Sequence, residues 1–117
     1  MKNDLMYLEH IIESIGRIKS YVEVIKDEDE FLENEIICDA VVRRIEVIGE
    51  AVSKISSSLK AKNKQVPWRD IVDTKNLLIH GYFGVSYSAV WNVVKNHIPE
   101  LEKQVKAILK NSTDAIH

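Results

Sequence analysis

The sequence predicts an all-α protein, an up-and-down bundle of four to five helices, two long and two or three short. Two observations point there. Apolar residues recur at three-, four- and seven-residue spacings along most of the chain, the period of a helix with one buried face. No stretch carries a strand-like alternation of any strength, and there is no internal repeat.

The first helix is expected over 4–26, where Leu5, Leu8, Ile12, Ile15, Val22 and Ile25 mark the inner face and Asn3 or Asp4 can cap the start. Gly16 falls mid-helix at a cost of about 1 kcal/mol relative to alanine, which a close helix crossing would offset. Residues 27–35 are strongly acidic and read as a turn followed by the first turn of helix two, with carboxylates at the positive end of the helix dipole. The second helix is expected over 32–59. Its seam, Val41, Ile45, Ile48, Val52, Ile55 and Leu59, steps by four and three residues like that of a coiled coil, and Gly49 permits a close approach.

Ser56–Ser58 and the segment KAKNKQ form a polar, basic connector ending at Pro67, a residue suited to the first position of a helix. Helix three then runs from Pro67 to Ile79. Gly81 and Gly84 break the chain, and Ser86 caps a fourth helix over 87–96. His97-Ile98-Pro99 interrupts it, a fifth helix covers 99–110, and residues 111–117 are expected to be a frayed tail.

At 117 residues the chain reads as a single domain, 1–117. A chain of this size buries roughly two-thirds of its unfolded surface. With 45% hydrophobic and 29% charged residues it has the balance of a soluble globular protein. No run approaches a membrane span, and the N-terminus lacks the apolar core of a secretory signal. A lone cysteine, Cys38, cannot form an internal disulfide and fits a small core position. These features together suit a cytoplasmic protein. No His/Cys pair has metal-ligand spacing, and no cofactor loop is present, so neither metal nor cofactor is expected.

The net charge of −2 is unevenly spread: residues 1–42 carry −7, residues 43–75 carry +4 and residues 76–117 carry +1. A polyanion would be drawn to the middle of the chain and repelled from its start. Arg43, Arg44 and Arg69 are candidate phosphate contacts there. Arg43 and Arg44 could equally pair with glutamates of the first helix.

The chemistry concentrates at residues 68–82, where a cation (Lys75), an amide (Asn76), an imidazole (His80) and a phenol (Tyr82) fall close together. On a helix, Asn76 and His80 stack one turn apart, whereas Lys75 lies about 140° round from His80. The run Lys75-Asn76-Leu-Leu-Ile-His80-Gly-Tyr82 resembles the Arg-Asn-x-x-x-His-x-Tyr signature of HepT-like HEPN proteins, toxins of toxin–antitoxin pairs. Residues 40–53, Pro67-Trp68 and the segment from Val90-Trp91 to Leu101 also resemble that family. The match covers about two-thirds of the chain.

The resemblance implies a HEPN-like bundle, a homodimer and an RNA endonuclease that needs no metal. His80 would act as acid and base, with Lys75 and Asn76 in support. Two such segments in a two-fold groove would supply the second imidazole that one chain lacks. Tyr82 would be the residue to which a nucleotidyltransferase antitoxin adds AMP, although by composition alone it reads as an amphipathic packing residue. The family's arginine is lysine here. Lys75 keeps the positive charge and loses the planar, five-donor fork. The alternatives are therefore a catalytically weakened helical dimer that binds a nucleotidyltransferase, and a structural dimer with no role in nucleic-acid chemistry. The RNA substrate, tRNA or mRNA, is left open.

Overall fold

The computed structural model describes residues 2–80 and 86–116, with side chains described for all of these except 2, 79, 80 and 112–116. In chain order the elements are α1 (Lys2–Val22), α2 (Glu28–Glu33), α3 (Glu35–Lys54), α4 (Ser57–Lys62), α5 (Trp68–His80) and α6 (Tyr87–Asn92). A π-helical turn (Val93–His97) then leads into α7 (Ile98–Ile116). Among the described residues there is no strand, in line with the all-α expectation. None of their helices is long and apolar enough to cross a membrane.

The core forms where α1 packs along α3, α3 packs on α5, and α7 closes against α1. Leu8, Ile11, Ile15 and Ile18 bury one stripe of α1 completely. The expected Leu5, Ile12, Val22 and Ile25 flank that stripe half-buried, so the inner face is rotated slightly from the sequence-based one. The α3 seam is as expected, with Val41, Ile45, Ile48 and Val52 buried and Cys38 wholly enclosed beside them. Burial pushes the Cys38 thiol above its ordinary value, aided by Asp39 and Glu35, and its Sγ donates to the Phe31 carbonyl.

The expected first helix over 4–26 stops at Val22, where the Ile25 N–H donates to the Val22 carbonyl at 2.9 Å. Four further features differ from the sequence-based reading. The acidic run forms a helix of its own, α2. Asp27 caps it by accepting from the Glu30 N–H at 3.0 Å, and Asn34 caps α3 through the Ile37 N–H at 3.0 Å. The long second helix stops at Lys54, because Ile55 is extended (φ −71°, ψ 141°). Ser56 then caps α4, a short helix in what the sequence suggested was a loop. The third difference explains the second. Asp4 does not cap α1. It is buried within it and accepts from the Ser56 N–H (2.9 Å) and hydroxyl (2.6 Å), tying the α3–α4 corner to the start of α1.

The fourth lies at His97-Ile98-Pro99, which does not interrupt the chain. Proline lacks an N–H and crowds the carbonyl four residues back. The wider π turn upstream accommodates it, the Ile98 N–H donating to the Val93 carbonyl. Backbone helix then continues to Ile116, through most of the stretch expected to fray.

The two mid-helix glycines behave in opposite ways. A Cβ added at Gly16 would meet nothing within 4 Å, so no close crossing occurs there. A Cβ at Gly49 would collide with Lys75 Cβ and lie 2.8 Å from its Cγ. Only glycine lets α5 approach α3 this closely. We expect Gly16→Ala to stabilise the protein by about 1 kcal/mol through helix propensity. Gly49→Ala should destabilise it, because overpacking of about 1–3 kcal/mol outweighs the same propensity gain. Urea denaturation of the two variants beside the parent checks both signs.

Candidate active site on the α3–α5 face

Helix α5 begins at Trp68, whose indole N–H donates to the Asn63 carbonyl at 3.0 Å and whose ring is buried. That anchor, with half-buried Ile71, Val72 and Leu78 against the core, sets the rotation of α5 about its axis. Lys75 consequently faces α3. Its stem lies across Gly49, its side chain is only 13% exposed, and its ammonium sits 3.4 Å from Glu50 Oε2. Glu50 also pairs with Lys54 at 3.6 Å.

Asn76 and Leu77 lie on the exposed strip of α5, about 100° and 200° round the helix from Lys75. The His80 backbone ends α5 one turn beyond Asn76 on that strip, at 40° of helical rotation in an ideal helix. The His80 side chain and Tyr82 lie outside the described residues, as do Phe83 and the two glycines that the sequence marks as a break. The structure thus separates the signature in two. Lys75 belongs to the α3 side and Asn76 to the solvent side.

Beside Lys75 a cleft of about 400 Å³ opens between α1, α3 and α5. Tyr7, His10, Arg43, Glu50 and Lys54 line it with Lys75. Arg43, a candidate phosphate contact, is exposed there and pairs with Glu46 of its own helix at 3.6 Å, not with a glutamate of α1. Arg44 is half-buried on α3. Arg69 is exposed in the first turn of α5, eleven residues and so about 16 Å of helix from His80. Glu50, Tyr7 and His10 were not singled out as site residues from the sequence. Their neighbourhood arises from packing between helices far apart in the chain, and no local spacing signals it.

The Ribonuclease HepT-like family model matches residues 11–108. The chain belongs to the HepT-like ribonuclease family. It is 42% identical over 110 residues to a Caldanaerobacter subterraneus subsp. tengcongensis protein named as a candidate RNase, covering 94% of this chain and 97% of that one. It is 38% identical over 104 residues to "Probable ribonuclease HepT" of Thermococcus cleftensis, covering 89% and 94%. A third relative, from Methanocaldococcus jannaschii, is named as a gamma-glutamylcyclotransferase and candidate RNase. It is 39% identical over 111 residues, 94% of this chain and 50% of that protein. No solved structure matches the chain.

In this HepT-like chain the aromatic that follows the signature most closely in sequence among the described residues, Tyr87, is engaged. Its hydroxyl donates to Asp39 Oδ1 at 2.8 Å, and next to it Ser88 donates to Glu28 at 3.1 Å. These bonds fasten α6 to α2 and α3. The bond to Asp39, with burial and the nearby negative charges, raises the Tyr87 phenol from 10.0 to about 12. A raised value means that the protonated phenol is favoured by folding. Its contribution is present in full below pH 10 and is lost as pH rises through about 12. Spectrophotometric titration should therefore show one tyrosine ionising about two pH units late, and Asp39→Ala should bring it back towards 10.

Proposed function

We propose that the protein is a metal-independent endoribonuclease toxin of a toxin–antitoxin pair, acting in the cytoplasm as a homodimer on tRNA or mRNA. The observation that carries this reading is the HepT-like family match together with the family's cation, amide and histidine in register on α5. In the proposed reaction a histidine removes the proton of a 2′-hydroxyl, whose oxygen attacks the adjacent phosphorus. A second acid protonates the departing 5′-oxygen, leaving a 2′,3′-cyclic phosphate and a 5′-hydroxyl. One chain offers a single imidazole in the signature, so a two-fold pairing of α5 segments supplies both. Exposed Leu77, beside Asn76 on the outer strip, suits such a contact.

Lys75 is the proposed cation for charge building on the phosphorane. Asn76 orients the imidazole or donates to a phosphate oxygen. Arg43, Arg44 and Arg69 extend the positive surface for RNA. Tyr82 is the proposed target of a nucleotidyltransferase antitoxin: AMP attached there would add bulk and negative charge two residues from His80 and so exclude RNA.

A second reading, a catalytically weakened dimer that binds a nucleotidyltransferase, is favoured by one contact. The Lys75 ammonium is paired with Glu50, and a phosphate must displace that carboxylate before lysine can serve it.

Cleavage of total tRNA and a model mRNA in EDTA distinguishes the two. The first reading expects cleavage by the parent and by Lys75→Arg, and a loss of at least about 100-fold in His80→Ala, the scale of a removed general acid–base group. Cleavage surviving in His80→Ala would remove that residue from the mechanism. Cleavage by Lys75→Arg alone would mean an intact scaffold whose catalysis was lost at one residue, and would favour the second reading.

A further inference from the structure

The cleft beside Lys75 contains more than cations. Tyr7 and His10 stand three residues apart on α1 and share a face, with ring centroids 6.2 Å apart and planes at 79°. Tyr7 is half-buried and packs against the core, whereas His10 is exposed. Across the cleft stand Arg43, Lys54 and Lys75, whose counter-charges are the carboxylates of Glu46 and Glu50. Three cations against two carboxylates leave an excess of positive charge facing an aromatic pair. Those are the two halves of a nucleotide site: charge for the phosphate and a π-surface for the base. The carboxylates add acceptors for an exocyclic base amino group.

We propose that Tyr7 and His10 form a base-stacking subsite for an unpaired RNA nucleotide whose neighbouring phosphate reaches Lys75. It rests on the ribonuclease reading and deepens it. An unstacked base is required, because a nucleotide held in a duplex cannot place its face against a protein ring. The subsite therefore selects single-stranded loops over helices. His10 supplies the replaceable stacking surface, and Tyr7 holds it edge-on from below. Neither residue is asked to move a proton.

Two measurements on the full-length protein test this. In steady-state cleavage of a short single-stranded RNA, His10→Ala should raise KM roughly 5- to 150-fold with kcat within about twofold, the size of one lost base–aromatic stack. His10→Phe, which keeps a ring and cannot titrate, should restore KM. An unchanged KM in His10→Ala, or failure of His10→Phe to restore it, overturns the subsite. The second measurement does not depend on catalysis. An oligonucleotide carrying 2-aminopurine should lose fluorescence on binding the parent and His10→Phe, and keep it with His10→Ala. Quenching without cleavage by the parent would sink the ribonuclease reading and support the subsite. Cleavage with no His10-dependent quenching at any 2-aminopurine position would do the reverse.

Discussion

The contact on which the site depends is the crossing of α5 over α3 at Gly49. With no side chain there, the first carbons of Lys75 occupy the space a Cβ would take. So close a crossing leaves α5 one rotation. Lys75 is turned inward over α3, and the strip bearing Asn76 and Leu77 is turned to solvent. The orientation of Lys75 and Asn76 thus follows from the absence of a methyl group on the neighbouring helix. Trp68 at the start of α5, with its indole bonded to Asn63, holds the same rotation from the other end.

The electrostatics follow from that geometry. Among the described residues, no ion pair joins the acidic first third of the chain to the basic stretch of α3. Glu13 of α1 pairs with Arg17 of the same helix, and Lys19 of α1 pairs with Glu102 of α7. Burial alone would raise the Glu102 carboxyl, but its bonds to Lys19 and Lys106 bring it below the ordinary value. The cations beside the cleft are balanced by neighbours instead: Arg43 by Glu46, Lys54 and Lys75 by Glu50. An exposed pair such as Lys54–Glu50 contributes about 0–1 kcal/mol, little enough for an incoming phosphate to displace, whereas Lys75 is only 13% exposed and meets Glu50 at the edge of the cleft. Glu50, 54% exposed, can turn to water when it does.

The helical periodicity carried the class and the core. The seam from Val41 to Val52 is buried as its spacing implied, because a buried stripe on one helix is a local property. The break at Ile55 was not legible: Ile55 and Leu59 continue the apolar seam, so periodicity runs straight through it. The cause is Asp4, 52 residues away, which holds Ser56 in place. Gly16 and Gly49 look alike in sequence, and only the packing of α5 tells them apart. In the site, the signature gave Lys75, Asn76 and His80, but not that Lys75 and Asn76 lie on different sides of α5. Tyr7, His10 and Glu50 carry no local signature. They join Lys75 only because α1 and α5 both pack on α3.

The central claim is that the cleavage site is completed by a second copy of the chain. The most direct test mixes the parent with an excess of His80→Ala under conditions that exchange subunits. Native mass spectrometry then counts the parental, mixed and variant dimers. If one site needs the imidazoles of both chains, cleavage tracks the parental dimers alone and falls as the square of the parental fraction. Cleavage that falls only linearly with the parental fraction while mixed dimers are abundant, or full parental activity in a monomeric preparation, would contradict the account.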